Sequence, residues 1–152
     1  MGLDVNTPKG QEYLSHQHDT MKRFCDNYRK FNLKHAETGS EDAAIDFVVT
    51  DLSKVVAIAE IKAREMTLDQ LRRFGSYLVT YEKIRKGIDT ADALGVSFLL
   101  IIKLIPDDII VYFKLNEDVD IEVRETETQA TCNGGVAVRK NAYISLDRMI
   151  EL

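Results

Sequence analysis

Ala44-Ile45-Asp46-Phe47-Val48-Val49-Thr50, then Asp51-Leu52-Ser53-Lys54, then Val55-Val56-Ala57-Ile58-Ala59-Glu60-Ile61-Lys62, is the stretch that decides the fold. Two runs rich in β-branched residues flank a short turn segment, which predicts a hairpin. Within those runs only Asp46, Glu60 and Lys62 are ionisable. Taking an unpaired charge out of water costs several kcal/mol, so charges in apolar strands need a partner or a task. A hairpin symmetric about Ser53 sets Asp46 opposite Glu60, with Cβ atoms about 4.5 to 5.5 Å apart. Glu60 and Lys62, two residues apart, share a face. Two carboxylates and one ammonium then meet on one side of a sheet. Such a set can hold a hard divalent cation through oxygen while the lysine faces a water or a phosphate.

Before the hairpin, Thr7 followed by Pro8 supplies an N-cap and an N1 proline, and Leu14, Met21, Cys25 and Tyr28 recur at helical spacing. A helix is expected from about Pro8 to about Tyr28, then a strand over Phe31 to Glu37, closed by the turn cluster Thr38-Gly39-Ser40-Glu41-Asp42. After the hairpin, Leu68, Leu71, Phe74, Leu78 and Tyr81 fall on one stripe. This predicts a second helix from about Thr67, its cap, to about Arg85. Val96 to Ile105 reads as a strand buried on both faces, with Ile109 to Leu115 its neighbour across Pro106-Asp107-Asp108. Further on, Asp120 to Thr126 is expected as an edge strand, Cys132-Asn133-Gly134-Gly135 as a turn, and Ser145 to Leu152 as a short helix. The order describes an α/β (α+β) domain with a mixed sheet covered by helices. One domain is expected over residues 1–152, with a core at about 8–115 and a C-terminal extension at about 116–152.

Composition sets the outer limits. The chain has 152 residues, a net charge of −5 and 2 cysteines, Cys25 and Cys132, neither in a CxxC pair. A disulfide framework is excluded, and a reduced setting, cytoplasmic or nuclear, is expected. No run reaches the ~18 apolar residues of a membrane span. The acidic balance leaves no uniform positive sheath, so a nucleic-acid site must be a local patch. Between Ser53 and Ile88 there is such an excess: Lys54, Lys62, Arg64, Arg72, Arg73, Lys83, Arg85 and Lys86 against Glu60, Glu65, Asp69 and Glu82. It falls beside the cluster of Asp46, Glu60 and Lys62, where phosphates would lie. The acidic excess falls between Asp107 and Glu127.

Asp46, a hairpin-length gap and then Glu60-Ile61-Lys62 resemble the PD-(D/E)XK nuclease superfamily, with Ile45 in place of the proline of the motif name. The resemblance covers roughly the first two-thirds of the chain. It implies a restriction-endonuclease-like fold, in which a helix, the hairpin, a second helix and a further strand form the core. It implies a metal-dependent nuclease that hydrolyses phosphodiester bonds in DNA, including junction-resolving members. By the same resemblance Asp46 and Glu60 hold Mg²⁺, with Mn²⁺ as substitute, joined by the carbonyl of Ile61 and by Glu12 on the first helix. Lys62 serves the attacking water, and Gln70, early on the second helix, holds Lys62 or the phosphate. Tyr77, seven residues further on the same helical face, and Arg64, Arg72 and Arg73 are the expected DNA contacts. A homodimer is implied, in the cytoplasm or in a host's cytoplasm for a viral protein.

Other motifs fail on spacing. His16 and His18, two apart on a helix, point apart and make no zinc site with Cys25. Gly134-Gly135 lacks the Lys-Ser/Thr of a phosphate loop, and Ser15 and Ser76 have no partner that would make either a nucleophile. The rival reading is a binding or scaffold module that keeps the nuclease fold without its chemistry, or an anti-nuclease decoy whose acidic C-terminal part mimics DNA.

Overall fold

The computed structural model describes residues 6–28, 33–37, 46–116, 119–130 and 136–152. The expected turns at 38–42 and 132–135 lie outside them. Helix α1 (Pro8–Asn27) starts at Thr7, whose side-chain oxygen accepts from Gly10 N at 3.0 Å. Strand β1 (Leu33–Glu37) precedes the hairpin of β2 (Phe47–Asp51) and β3 (Lys54–Arg64). The main sheet is completed by β5 (Ser97–Leu104), β6 (Ile109–Lys114) and the short β9 (Ile150–Glu151), in the order β1-β2-β3-β5-β6-β9. β3 and β5 are parallel and the other neighbours antiparallel, so the sheet is mixed.

The crossover from β3 to β5 differs from the expected single helix. It breaks into α2 (Leu68–Phe74), β4 (Ser76–Thr80) and α3 (Tyr81–Leu94). Gly75 ends α2 in the left-handed region at φ 75°, which costs a glycine nothing and most residues a steric penalty. Beyond it, Tyr77 and Val79 turn inward while Leu78 and Thr80 face out, the two-residue period of a strand. Phe74 and Leu78, assigned to the buried stripe, are 70% and 48% exposed.

β4 joins a second sheet, β4-β8-β7, with β7 (Ile121–Ala130) and β8 (Val136–Ser145). The last third of the chain is therefore woven in at two places, β8 onto β4 and β9 onto β6. The expected helix at 145–152 is instead a 3₁₀ turn, Leu146–Arg148, followed by β9.

Two apolar layers sandwich the main sheet. On one side Met21, Phe24 and Cys25 of α1 pack on Phe47, Val49, Ala57, Ala59, Ile61, Leu99 and Ile101. On the other, Ile58, Leu100, Ile102 and Phe113 pack against Leu68, Leu71, Tyr77, Ile84 and Ile144 from α2, α3 and the second sheet. Among the described residues no helix is long and apolar enough to cross a membrane.

Candidate active site

β3 alternates between those layers. Ala57, Ala59 and Ile61 face α1 and Ile58 faces α3, so Glu60, Lys62 and Arg64 share the face of Ile58. The hairpin turn is tighter than a symmetric loop about Ser53, since Asp51 pairs with Lys54 across Leu52 and Ser53 at φ 48° and 67°. That turn alone would carry Asp46 to the level of Ala59. A bulge intervenes: Thr50 pairs with Val55 but Val49 with Ala57, leaving Val56 as the extra residue. The shift returns Phe47 to Ala59 and brings Asp46 to the level of Glu60. One residue of slip decides which face a side chain meets.

At Asp46 the chain leaves the ladder. Its N–H donates to Ala59 O at 3.0 Å, and its Oδ2 accepts from Ile61 N at 2.9 Å. The N–H and C=O of one strand residue leave on the same edge, so the carbonyl of Ile61 emerges on the edge where Asp46 lies. Glu60 is 3% exposed. Its Oε1 lies 3.2 Å from Lys62 Nζ and 3.4 Å from Lys83 Nζ, which reaches down from the first turn of α3.

Burial pushes the Asp46 carboxyl up to about 6, and the neighbouring Glu60 charge pushes the same way. The hydrogen bond from Ile61 and the two lysines oppose this without cancelling it. A site that resists carrying both negative charges suits a divalent cation, which would relieve the conflict. The donor set fits a hard ion, being two carboxylates and one backbone carbonyl, all oxygen.

The other expected site residues are placed as follows. Glu12 lies on α1, which covers the opposite layer; its carboxylate is 3.7 Å from His16 Nε2 and 63% exposed. Among the described residues no group of three or more His, Cys, Asp or Glu gathers for a metal, so Glu12 is not brought to Asp46 and Glu60. Gln70 is committed to a capping box: its Oε1 accepts from Thr67 N at 2.8 Å while its own N–H donates to Thr67 Oγ1 at 3.1 Å. Tyr77 is on β4 and not on a helix, and at 2% exposure it offers no face to a duplex. Arg64 lies over the Tyr77 ring, 6.0 Å from its centroid. Arg72 and Arg73 are exposed in the last turn of α2, with Arg72 3.7 Å from Glu151.

Lys83 is the site residue that sequence reasoning passed over. It appeared only within a basic excess, because an exposed lysine early in a helix carries no mark of its own. Gly87, just past the expected helix end at Arg85, lies inside α3 one turn after Lys83 and seats the tip of the Phe98 ring.

Similarity to known proteins bears on the family and the fold. Residues 14–140 match the model of a family described as "Phage putative PDDEXK endonuclease". Among solved structures, the nuclease D212 from a fusselovirus is similar at a TM-score of 0.56 and 9% identity, covering 98% of this chain and 90% of that one. The Holliday junction resolvase Hjc of Archaeoglobus fulgidus matches at 0.47 and 12%, covering 64% and 76%. No curated protein matches the chain. With a mixed sheet between helices, an acidic hairpin and most of its length inside the family model, the chain belongs to the phage PDDEXK endonuclease family and is a nuclease.

Proposed function

We propose that this nuclease is a Mg²⁺-dependent deoxyribonuclease whose centre is Asp46, Glu60 and Lys62. The observation that carries the reading is the meeting of the buried Glu60, the half-buried Asp46 and a lysine at the end of the hairpin, with Asp46 anchored on Ile61 N. Asp46, Glu60 and the carbonyl of Ile61 would hold the ion, with Mn²⁺ as substitute. When bound, it polarises the phosphate and lowers the pKa of the attacking water. Lys62 holds the carboxylate of Glu60 in place and presents its ammonium to the same space. There the ammonium, which accepts no proton, orients the water and offsets the negative charge gathering on the phosphoryl oxygens. Water adds one P–O bond, the bond to the leaving oxygen breaks, and that oxygen takes up a proton.

The exposed Arg72 and Arg73, with Arg64 at the end of β3, supply phosphate contacts for DNA without reading its sequence. Glu12, nearly a bystander in this conformation, stays outside the proposed ligand set. A homodimer acting in the cytoplasm, or in a host's cytoplasm, completes the proposal, with light scattering as the check on its size.

The deciding experiment incubates linear, circular, flap and four-way-junction DNA with Mg²⁺ or with chelator, alongside thermal melts. Mg²⁺ should yield cleavage and raise the melting temperature by several degrees, since a ligand at ~100 Kd stabilises the native state by about 2.7 kcal/mol. Both effects should vanish in Asp46→Asn, Glu60→Gln. A double variant that still responds to the ion would move the site elsewhere, and an intact thermal response without cleavage of any DNA would favour the inactive binding module.

A further inference from the structure

Glu60 Oε1 is shared by two ammonium groups, Lys62 at 3.2 Å and Lys83 at 3.4 Å, and they are not equivalent. Lys62 comes from the strand itself and its side chain is 20% exposed; that of Lys83 comes from above and is 55% exposed. Lys83 stands one helical turn before the point where α3 rests on the tip of the Phe98 ring. At Gly87, one helical turn on and on the same helix face, an added Cβ would stand 2.1 Å from the Phe98 ring of β5. Ile84 and Ala91 are buried on either side of that contact. Gly87 seats the ring tip where a methyl group would not fit, and this contact anchors α3 one turn from Lys83.

A divalent cation held by Glu60 competes with both lysines for its carboxylate and repels their charges. Lys62 is the more enclosed of the two. Lys83, on a flexible four-carbon stem with its outer part in solvent, can turn away at little cost. Once turned, its ammonium stands at the mouth of the same site, where a phosphate of the nucleic acid must enter. Arg85 and Lys86, also exposed, follow on the same helix.

We propose that Lys83 is a second active-site cation that releases Glu60 to the divalent ion and then binds the phosphate being cleaved. This deepens the proposed metal-dependent nuclease and rests on it. Metal and DNA are then coupled through one side chain: the ion frees Lys83 for the phosphate, and by reciprocity the phosphate draws Lys83 off the metal's ligand.

The test uses Lys83→Met and Lys83→Arg in the full chain. Calorimetry with Mg²⁺ alone should show Lys83→Met binding about three- to tenfold more tightly than wild type, because a competing positive charge is gone. Fluorescence anisotropy with duplex DNA and Ca²⁺ should show the reverse, weaker binding with a salt slope lower by about one phosphate contact. Cleavage should slow at least about tenfold. Lys83→Arg should restore the salt slope. Unchanged or weaker Mg²⁺ binding in Lys83→Met, or an unchanged salt slope, overturns the assignment. The control is Asp46→Asn, Glu60→Gln: should it bind Mg²⁺ as wild type does, the metal-site reading fails first. If it loses the ion while Lys83→Met behaves as wild type, the role of Lys83 alone is overturned.

Discussion

Two charge clusters stand back to back across the main sheet, each with two acids and two bases, and they reach opposite results. On the α1 side, Lys103 of β5 is buried at 7% exposure; its Nζ lies 2.9 Å from Asp19 and 3.7 Å from Asp108. Arg23 closes the set, 2.7 Å from Asp108 and 3.6 Å from Asp19. Each base has its own carboxylate at hydrogen-bond distance, and both acids are held below their ordinary range, Asp19 chiefly by its hydrogen bond with Lys103 and Asp108 chiefly by that with Arg23. On the α3 side both lysines crowd one oxygen of Glu60, while Asp46 accepts from Ile61 N and its burial still pushes its carboxyl up. Equal numbers of charges do not make equal sites. Pairing one to one yields a lock between helix and sheet, whereas two bases on one buried acid leave the carboxyl beside it raised, the mark of the proposed metal site.

The sharpest way to separate the clusters is Lys62→Ala. Cleavage should fall by at least about a hundredfold, while Mg²⁺ binding by calorimetry persists, since the lysine is not a ligand. Turnover within a few-fold of wild type would remove Lys62 from the chemistry and erase the contrast.

Next in size is a pair of neutralising variants whose stabilities should respond to pH in opposite senses. The Asp46 carboxyl is raised from 3.8 to about 6 in the fold, so its contribution to stability is full below 3.8 and is lost as pH rises through about 6. With chelator present, Asp46→Asn should melt a few degrees above wild type at pH 8, the gain fading below pH 4. Asp19 has the other sign: its carboxyl is lowered, so its contribution is present above 3.8 and is lost as acid protonates it. Asp19→Asn, which leaves Lys103 buried beside only the more distant Asp108, should melt a few degrees lower at neutral pH. That deficit should narrow in acid. Melting curves between pH 3.5 and 8 that shift both variants the same way would break the comparison.

The smallest effect is expected at Gln70, which belongs to neither cluster. Gln70→Ala opens the capping box and should cost about 0.5 to 1 kcal/mol by denaturant titration, with turnover within about twofold of wild type. A loss of activity out of proportion to that would return Gln70 to the site.

The hairpin and its three charges were legible because a charge in an apolar strand is conspicuous. The same rule, applied to the run from Val96 to Ile105, would have singled out Lys103. What stayed hidden depends on distant partners. The stripe of Leu68, Leu71, Phe74 and Leu78 satisfies a helix as well as it does a short helix, a glycine stop and a strand. Only pairing with β8 makes β4 a strand. Ser145 to Leu152 is likewise decided by β6, which takes Ile150 and Glu151 as an edge strand. The bulge at Val56 leaves no trace in residue type, yet it sets the level of Asp46 against Glu60.

The stitching of β8 onto β4 has a consequence for the order of events during synthesis. Asp46, Glu60 and Lys62 emerge early, but β4 waits for its partner until Asn141 to Ser145 have been made. Until then the crossover that carries Lys83 has only half of its support, and Tyr77 and Val79 have no Ile144 and Ala142 beside them. Pairings so far apart along the chain form late. A nascent nuclease of this design holds its proposed cutting groups in hand before it has the frame to use them, and it arms itself only once the strand that pairs with β4 has been made.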